Sequence, residues 1–149
     1  MDFVTILIIL LGILFLILMA IYLINRSNKS KDTPFDNMEG EEFEVYCKKL
    51  LELRGFQDVR LTPGSHDYGI DIFAEKDGIK YAIQCKCYND TVGIKAVQEA
   101  YSGKAFYDCM VGVVMTNQAI SSPAKEFAEK LNVLLWDGDY IERLARNSM

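Results

Sequence analysis

The sequence predicts an α/β fold, a helix-covered mixed sheet in the order αβββαβαβα, preceded by a single transmembrane helix. Three observations carry that expectation. A charge-free run opens the chain, from Phe3 to Ile24. A two-residue turn signal, Asp77-Gly78, sits between two segments of alternating apolar and polar residues. Beyond it, helical periodicity alternates with short apolar runs, the pattern of strands joined by crossover helices.

Phe3 to Ile24 gives 22 consecutive residues without a charge, rich in Leu and Ile. That is long enough to cross a hydrocarbon core of about 30 Å as a helix. A secretory signal would want a basic start, a shorter apolar run and a small-residue cleavage site. Here the start carries Asp2 and the run ends in Tyr22-Leu23-Ile24-Asn25, so a retained anchor over 3–24 is expected. Arg26, Lys29 and Lys31 follow the run and no basic side chain precedes it. The positive-inside rule then predicts a single-pass protein of the cell membrane with its C-terminal domain in the cytoplasm. Residues 25–37 are polar and read as a juxtamembrane linker. The remainder, 38–149, is the expected folded domain. Cys47, Cys85, Cys87 and Cys109 suit that compartment as reduced thiols. Cys85 and Cys87 form a CxC, but no second pair of Cys or His follows at finger spacing, which disfavours zinc.

Helical periodicity begins near Met38, with Phe43, Cys47, Leu50 and Leu51 on one face and Gly55 placed as a stop. Acidic residues crowd its first turns and Lys48, Lys49 and Arg54 its end, as the helix dipole favours. Val59 to Thr62 reads as a strand, and Pro63-Gly64-Ser65 as a turn. The hairpin over residues 69–86 follows. Gly93 to Tyr107 reads as a helix, and Met110 to Met115 as a strand buried on both faces. Ser122-Pro123 starts a helix through Leu131, with Pro favourable in the first turn. Val133 to Trp136 is a short apolar strand and Asp139 to Arg146 a last helix.

From Asp32 onward 13 basic residues face 20 acidic ones, a net of −7. That excludes a protein that coats nucleic acid by charge alone. It suits an enzyme whose acidic cluster is filled by a cation and whose basic residues are gathered locally. The hairpin supplies such a cluster. With Asp77-Gly78 as the turn, partner numbers sum to 155, so residue 71 faces residue 84. Ile70, Ile72, Ala74, Tyr81, Ile83 and Cys85 then share an apolar side, and Asp71, Gln84 and Lys86 share the other. On spacing alone, that second side reads equally as a solvated face with a charge pair. Asp71 can hold a hard cation, with the Gln84 amide oxygen and the Cys85 backbone carbonyl as further ligands. Lys86 can position or help deprotonate water, or offset charge on a phosphodiester in transition.

Asp71-x12-Gln84-x-Lys86 resembles the PD-(D/E)xK nuclease motif in its QxK variant. More specifically, the chain resembles the Mrr-type restriction endonuclease catalytic domain. The match runs through Phe43-Glu44, Leu50-Leu51, Gly55-Phe56, Gly64, Asp67-x-Gly69-Ile70-Asp71, Gln84-Cys85-Lys86 and Thr116-Asn117, over about residues 38–137. The resemblance implies a restriction-endonuclease-like fold and Mg²⁺-dependent cleavage of DNA, with Mn²⁺ expected to substitute. It makes Asp71 the main metal ligand, Gln84 its partner, Lys86 the catalytic lysine and Glu44 an acidic residue reaching the site from the first helix. Asp67 and Gln98 match family positions that support the site or bind DNA. A membrane helix stands where a DNA-recognition domain is usual, which argues against sequence-specific restriction.

The expected function is a membrane-anchored, metal-dependent DNA endonuclease of restriction or DNA-processing type. Cutting both strands with one site per chain calls for two copies, so a homodimer is expected. No small-molecule substrate is implied. Two alternatives stand: a non-cleaving DNA-binding or membrane-tethering module on the same fold, and a structure-specific nuclease acting on junctions. His66 reads as a loop bystander, and Trp136 and the tyrosines as core and rim rather than a base-stacking platform.

Overall fold

The structure is a computed structural model that describes residues 2–27, 35, 37–63 and 68–146, without the side chains of 3–8 and 24–27. It divides into two units, Met1–Thr33 and Pro34–Met149. The described part of the first unit is one helix, α1 (Phe3–Ser27), of 25 residues. No proline interrupts it, and every described side chain from Ile9 to Leu23 is exposed. The predicted membrane span is not reached within these bounds. Among the described residues, no helix is long and apolar enough to cross a membrane. Most of the predicted linker lies outside the described residues.

The second unit is built on a five-stranded sheet in the spatial order β1 (Gln57–Leu61), β2 (Ile72–Lys76), β3 (Ile79–Lys86), β4 (Val111–Thr116), β5 (Val133–Trp136). The first three strands are antiparallel neighbours, and β3, β4 and β5 run parallel. The sheet is therefore mixed. The helices are α2 (Gly40–Leu53), α3 (Ile94–Phe106), α4 (Ser122–Leu131) and α5 (Gly138–Arg146), so the second unit has the predicted order αβββαβαβα.

Local chemistry explains the element ends. The Glu42 carboxylate accepts from the Glu39 amide at 3.0 Å, a capping contact that starts α2. Gly55, at φ +78, ends it. The Ser121 hydroxyl accepts from the Ala124 amide at 3.3 Å to open α4, and Asn132 closes it at φ +51. The β2–β3 turn has Asp77 at φ +53 and Gly78 at φ +76, the positive pair a tight hairpin requires. Its observed register, Ile72↔Ile83 through Lys76↔Ile79, sums to 155 throughout.

Each sheet face carries its own core. Phe43, Cys47, Leu50 and Leu51 of α2 and Ile141 of α5 pack with Ile72, Ala74, Ile83, Cys85, Val113 and Met115. On the other face Ala96, Val97 and Ala100 of α3 and Ala124 and Ala128 of α4 pack with Val114 and Val133. Val113 and Val114 thus point to opposite cores, as a strand buried on both faces requires. The polar hairpin face, which spacing alone left open between a site and a solvated surface, is partly covered, because the crossover from β3 to β4 lays α3 over it.

Ile83 is fully buried in the α2-side core. Ile83→Ala is expected to destabilise the domain by about 2–5 kcal/mol through lost burial and an unfilled cavity. Urea unfolding of both proteins measures this, and an unchanged midpoint would count against the packing described.

Candidate active site

The hairpin register brings Asp71, Gln84 and Lys86 together at one end of the sheet. Asp71 continues the ladder one step beyond β2: its amide donates to Ile83 O at 2.9 Å, and its carbonyl accepts from the Thr62 amide at 2.9 Å. The backbone is thereby fixed on both sides and the carboxylate is aimed toward α3. Its Oδ2 accepts from the Cys85 amide at 2.6 Å and from Gln84 Nε2. The same Gln84 nitrogen donates to the Cys85 carbonyl at 3.0 Å. Asp71 Oδ2 and Cys85 O therefore converge on one point, occupied by the amide nitrogen.

Gln84 is 3% exposed, and its Oε1 has no hydrogen-bond partner among the described residues. A buried acceptor left unpaired is costly. Gly69, at φ +78, brings the backbone close beside it, since a Cβ there would lie 3.2 Å from Gln84 Oε1 and 2.9 Å from Glu99 Cβ. Turning the amide over would exchange Nε2 for Oε1 and gather three oxygens, from Asp71, Gln84 and Cys85, a hard donor set suited to Mg²⁺. Among the described residues, no group of three or more His, Cys, Asp or Glu forms a metal centre. The donors that fit a cation here are one carboxylate, one amide and one backbone carbonyl.

Lys86 is mostly buried and its Nζ lies 2.8 Å from Glu99 Oε2. Burial is the largest influence on its pKa and lowers it. The Glu99 hydrogen bond and charge, with smaller contributions from Tyr88 and Asp71, outweigh burial and leave the pKa raised. Lys86 is therefore an ammonium at neutral pH, suited to holding charge on a phosphate rather than to taking a proton from water. Glu99 also lies 3.8 Å from Lys95 Nζ.

An open cleft of about 500 Å³ lies over these groups. It is lined by Asp71, Gln84 and Lys86 of the sheet, by Lys95, Gln98, Glu99 and Ser102 of α3, and by Tyr68 and Gly69, which lie against α3. Gln98, expected from the sequence, is exposed on α3. Glu44 is half-buried on α2 and is not among the residues lining the cleft. Its charge, after a Cys47 hydrogen bond and burial, helps raise the Cys85 thiol pKa. Asp67 and His66 lie outside the described residues. Glu99 and Lys95 were missed by the sequence reading. The available signal was the polar stripe Lys95, Gln98, Glu99, Ser102, at helical spacing on a helix otherwise buried through Ala96, Val97 and Ala100. Asn117 proves structural, as its amide accepts from Tyr88 N at 3.0 Å and donates to Tyr88 O at 2.9 Å. That clamp fixes the chain where it leaves the Lys86 strand.

Residues 35–145 match the family described as Mrr_cat, restriction endonuclease. The chain is 31% identical over 110 residues to the type IV methyl-directed restriction enzyme EcoKMrr of Escherichia coli (strain K12), covering 68% of this chain and 36% of that protein. It is 29% identical over 103 residues to an uncharacterised protein of Archaeoglobus fulgidus, covering 64% of this chain and 59% of that one. The chain therefore spans less than two thirds of the length of these curated relatives. Its fold is similar to the crystal structure of AF1548, a protein of unknown function, with TM-score 0.62, 26% identity and coverage of 70% of this chain and 64% of that one. It is also similar to the DNA modification-dependent restriction endonuclease AspBHI, with TM-score 0.56, 24% identity and coverage of 71% and 30%. The AspBHI likeness shows the fold alone.

Because the folded pKa of Lys86 is raised, the stability it brings is complete below the unfolded value of about 10.4 and is lost as pH climbs through the folded one. Glu99→Gln removes its main partner. The stability gap between wild type and Glu99→Gln should hold steady from neutral pH to about 9.5 and narrow above about 10.4. Urea unfolding across that range measures it, and a gap that widened with alkalinity would contradict the pairing.

Proposed function

Since the chain belongs to the Mrr_cat restriction-endonuclease family, we propose that it is a metal-dependent DNA endonuclease cutting at Asp71, Gln84 and Lys86. The convergence of Asp71 Oδ2 and Cys85 O on the Gln84 amide, beside the unpartnered Oε1, carries this reading. Asp71, Gln84 and the Cys85 carbonyl would hold a divalent cation, Mg²⁺ or Mn²⁺. Such a cation, when bound, supplies Lewis-acid stabilisation of the charge that builds on the phosphate. The Cys85 amide holds the Asp71 carboxylate in place, and Glu99 holds the Lys86 ammonium where it faces a phosphate oxygen in the cleft. Cutting both strands would need a homodimer or two successive cuts. A non-cleaving DNA-binding module is the second reading. The net of −7 from Asp32 onward and the neutral Gln84 in place of a second acid favour it.

Cleavage of supercoiled plasmid by the full chain with Mg²⁺ or Mn²⁺ tests the first reading. Nicking or linearisation is expected, with losses of about a thousandfold or more in both Asp71→Ala and Lys86→Ala. Cleavage that survives both substitutions would sink the site. No cleavage, with no Mg²⁺ response that Asp71→Ala removes, would leave the binding module.

The same proposal includes a membrane anchor at 3–24, with the nuclease domain on the cytoplasmic side. The charge-free run, the 25-residue continuous helix and the exposed apolar side chains from Ile9 to Leu23 support it, as do the basic residues that follow. The full chain is then expected to stay with membranes through alkaline carbonate washing, and a chain lacking residues 1–32 to remain in the supernatant. Release of the full chain by carbonate would remove the anchor.

A further inference from the structure

We propose that Tyr68, stacked on Phe106 at the lip of the cleft, is a shelf for an unpaired nucleobase of the DNA strand being cut. The proposal rests on the nuclease reading and narrows its substrate.

The two rings lie 3.9 Å apart at an interplanar angle of 23°. Both are more than half exposed, Tyr68 at 56% and Phe106 at 57%. Trp136, by contrast, also stacks on a tyrosine but is buried in the core. Phe106 is braced from behind. Its ring meets Tyr107 edge-on at 4.9 Å, and Tyr107 meets Phe73 at 4.8 Å. The shelf therefore has a rigid back and an open front.

Tyr68 sits at φ +48, a left-handed conformation that is an outlier for a bulky side chain. Such strain collects where a side chain must be held in a particular place. Here it holds an aromatic ring out from the core. Tyr68 also lines the cleft that contains Asp71 and Lys86, so a nucleotide joined to a phosphate held there lies within reach of the ring. On the same rim, the Lys95 ammonium, 87% exposed, offers a cation to the strand's phosphates.

Every nucleobase has a π-face, so an aromatic shelf takes any of them. Inside a duplex both faces of each base are already covered by its neighbours. The shelf can accept a base without the cost of unstacking it only at an end, gap, flap or mismatch. A domain with a net of −7 also gains from a source of DNA affinity other than charge, and stacking supplies one.

The test is binding of a short fluorescent DNA single strand and of a relaxed, covalently closed duplex circle without ends to the full chain in detergent micelles, with Ca²⁺ to hold cleavage in check. Tyr68→Ala is expected to weaken single-strand binding by about 5- to 150-fold. Duplex binding should change by no more than about twofold. Tyr68→Phe should restore the wild-type value. Phe106→Ala should weaken the single strand as well, which guards against a local disturbance at residue 68. Single-strand binding unchanged in both alanine variants would overturn the shelf, as would an equal loss for duplex. A loss of self-association in Tyr68→Ala without a loss of DNA affinity would assign the ring pair to a second copy of the chain. If the wild type cuts plasmid while Tyr68→Ala binds single strands normally, the shelf alone falls. If the wild type neither binds nor cuts DNA, the nuclease reading falls and the shelf with it.

Discussion

The register of the β2–β3 hairpin is the constraint on which the rest of the cleft depends. Side chains alternate with a period of two, so a slip of one residue would send Asp71 into the α2 core and Ile72 toward α3. The turn at Asp77 and Gly78 sets the pairing, but the polar cluster lies at the far end of the strands. Burial of Ile72, Ala74, Ile83 and Cys85 against α2 carries the register from one end to the other. The apolar face therefore aims the polar one. Beyond the last β2–β3 pair the ladder still holds, because Ile83 O receives the Asp71 amide.

The second constraint is the α3 cover. It takes charged groups partly out of water, where an unmatched charge is costly. Lys86 feels this first, since burial is the largest single influence on its pKa and is overcome only by Glu99. Gln84 resolves the same difficulty on the other side. A second carboxylate in its place would stand against Asp71 across one donor position. The neutral amide instead donates to Asp71 and to the Cys85 carbonyl together. The arrangement is self-satisfied apart from Gln84 Oε1, and that atom is the one a cation would use.

The fold was largely legible because its signals were local. Asp77-Gly78 gave the turn, alternation gave the buried face, and the apolar run from Met110 to Met115 gave a strand packed on both sides. What escaped depended on the third dimension. The polar hairpin face looked open, since nothing in residues 69–86 tells where the next helix will lie. Glu99 escaped for the same reason, because its partner Lys86 is thirteen residues away on another element. Glu44 sits on α2, as its family position implied, and its charge acts on Cys85 beside the cluster, although it does not line the cleft. The tyrosines were read together as core and rim. Their fates diverge through backbone conformation, with Tyr68 lifted out at φ +48 and Tyr81 packed against the core.

The charge balance bears on how such a site would choose its substrate. Proteins that hold duplex DNA by phosphate contacts need many cations, and their affinity falls steeply with salt. Here the cleft holds two cations, Lys86 and Lys95, against two carboxylates, Asp71 and Glu99, so it offers little net positive charge even with Lys95 exposed. On the nuclease reading, intact duplex would be gripped weakly. A strand that offers a free base gains stacking at Tyr68 that duplex lacks, and that gain does not depend on net charge. Weak phosphate grip and an exposed ring pair then act in one direction, toward discrimination by DNA structure rather than by the density of negative charge.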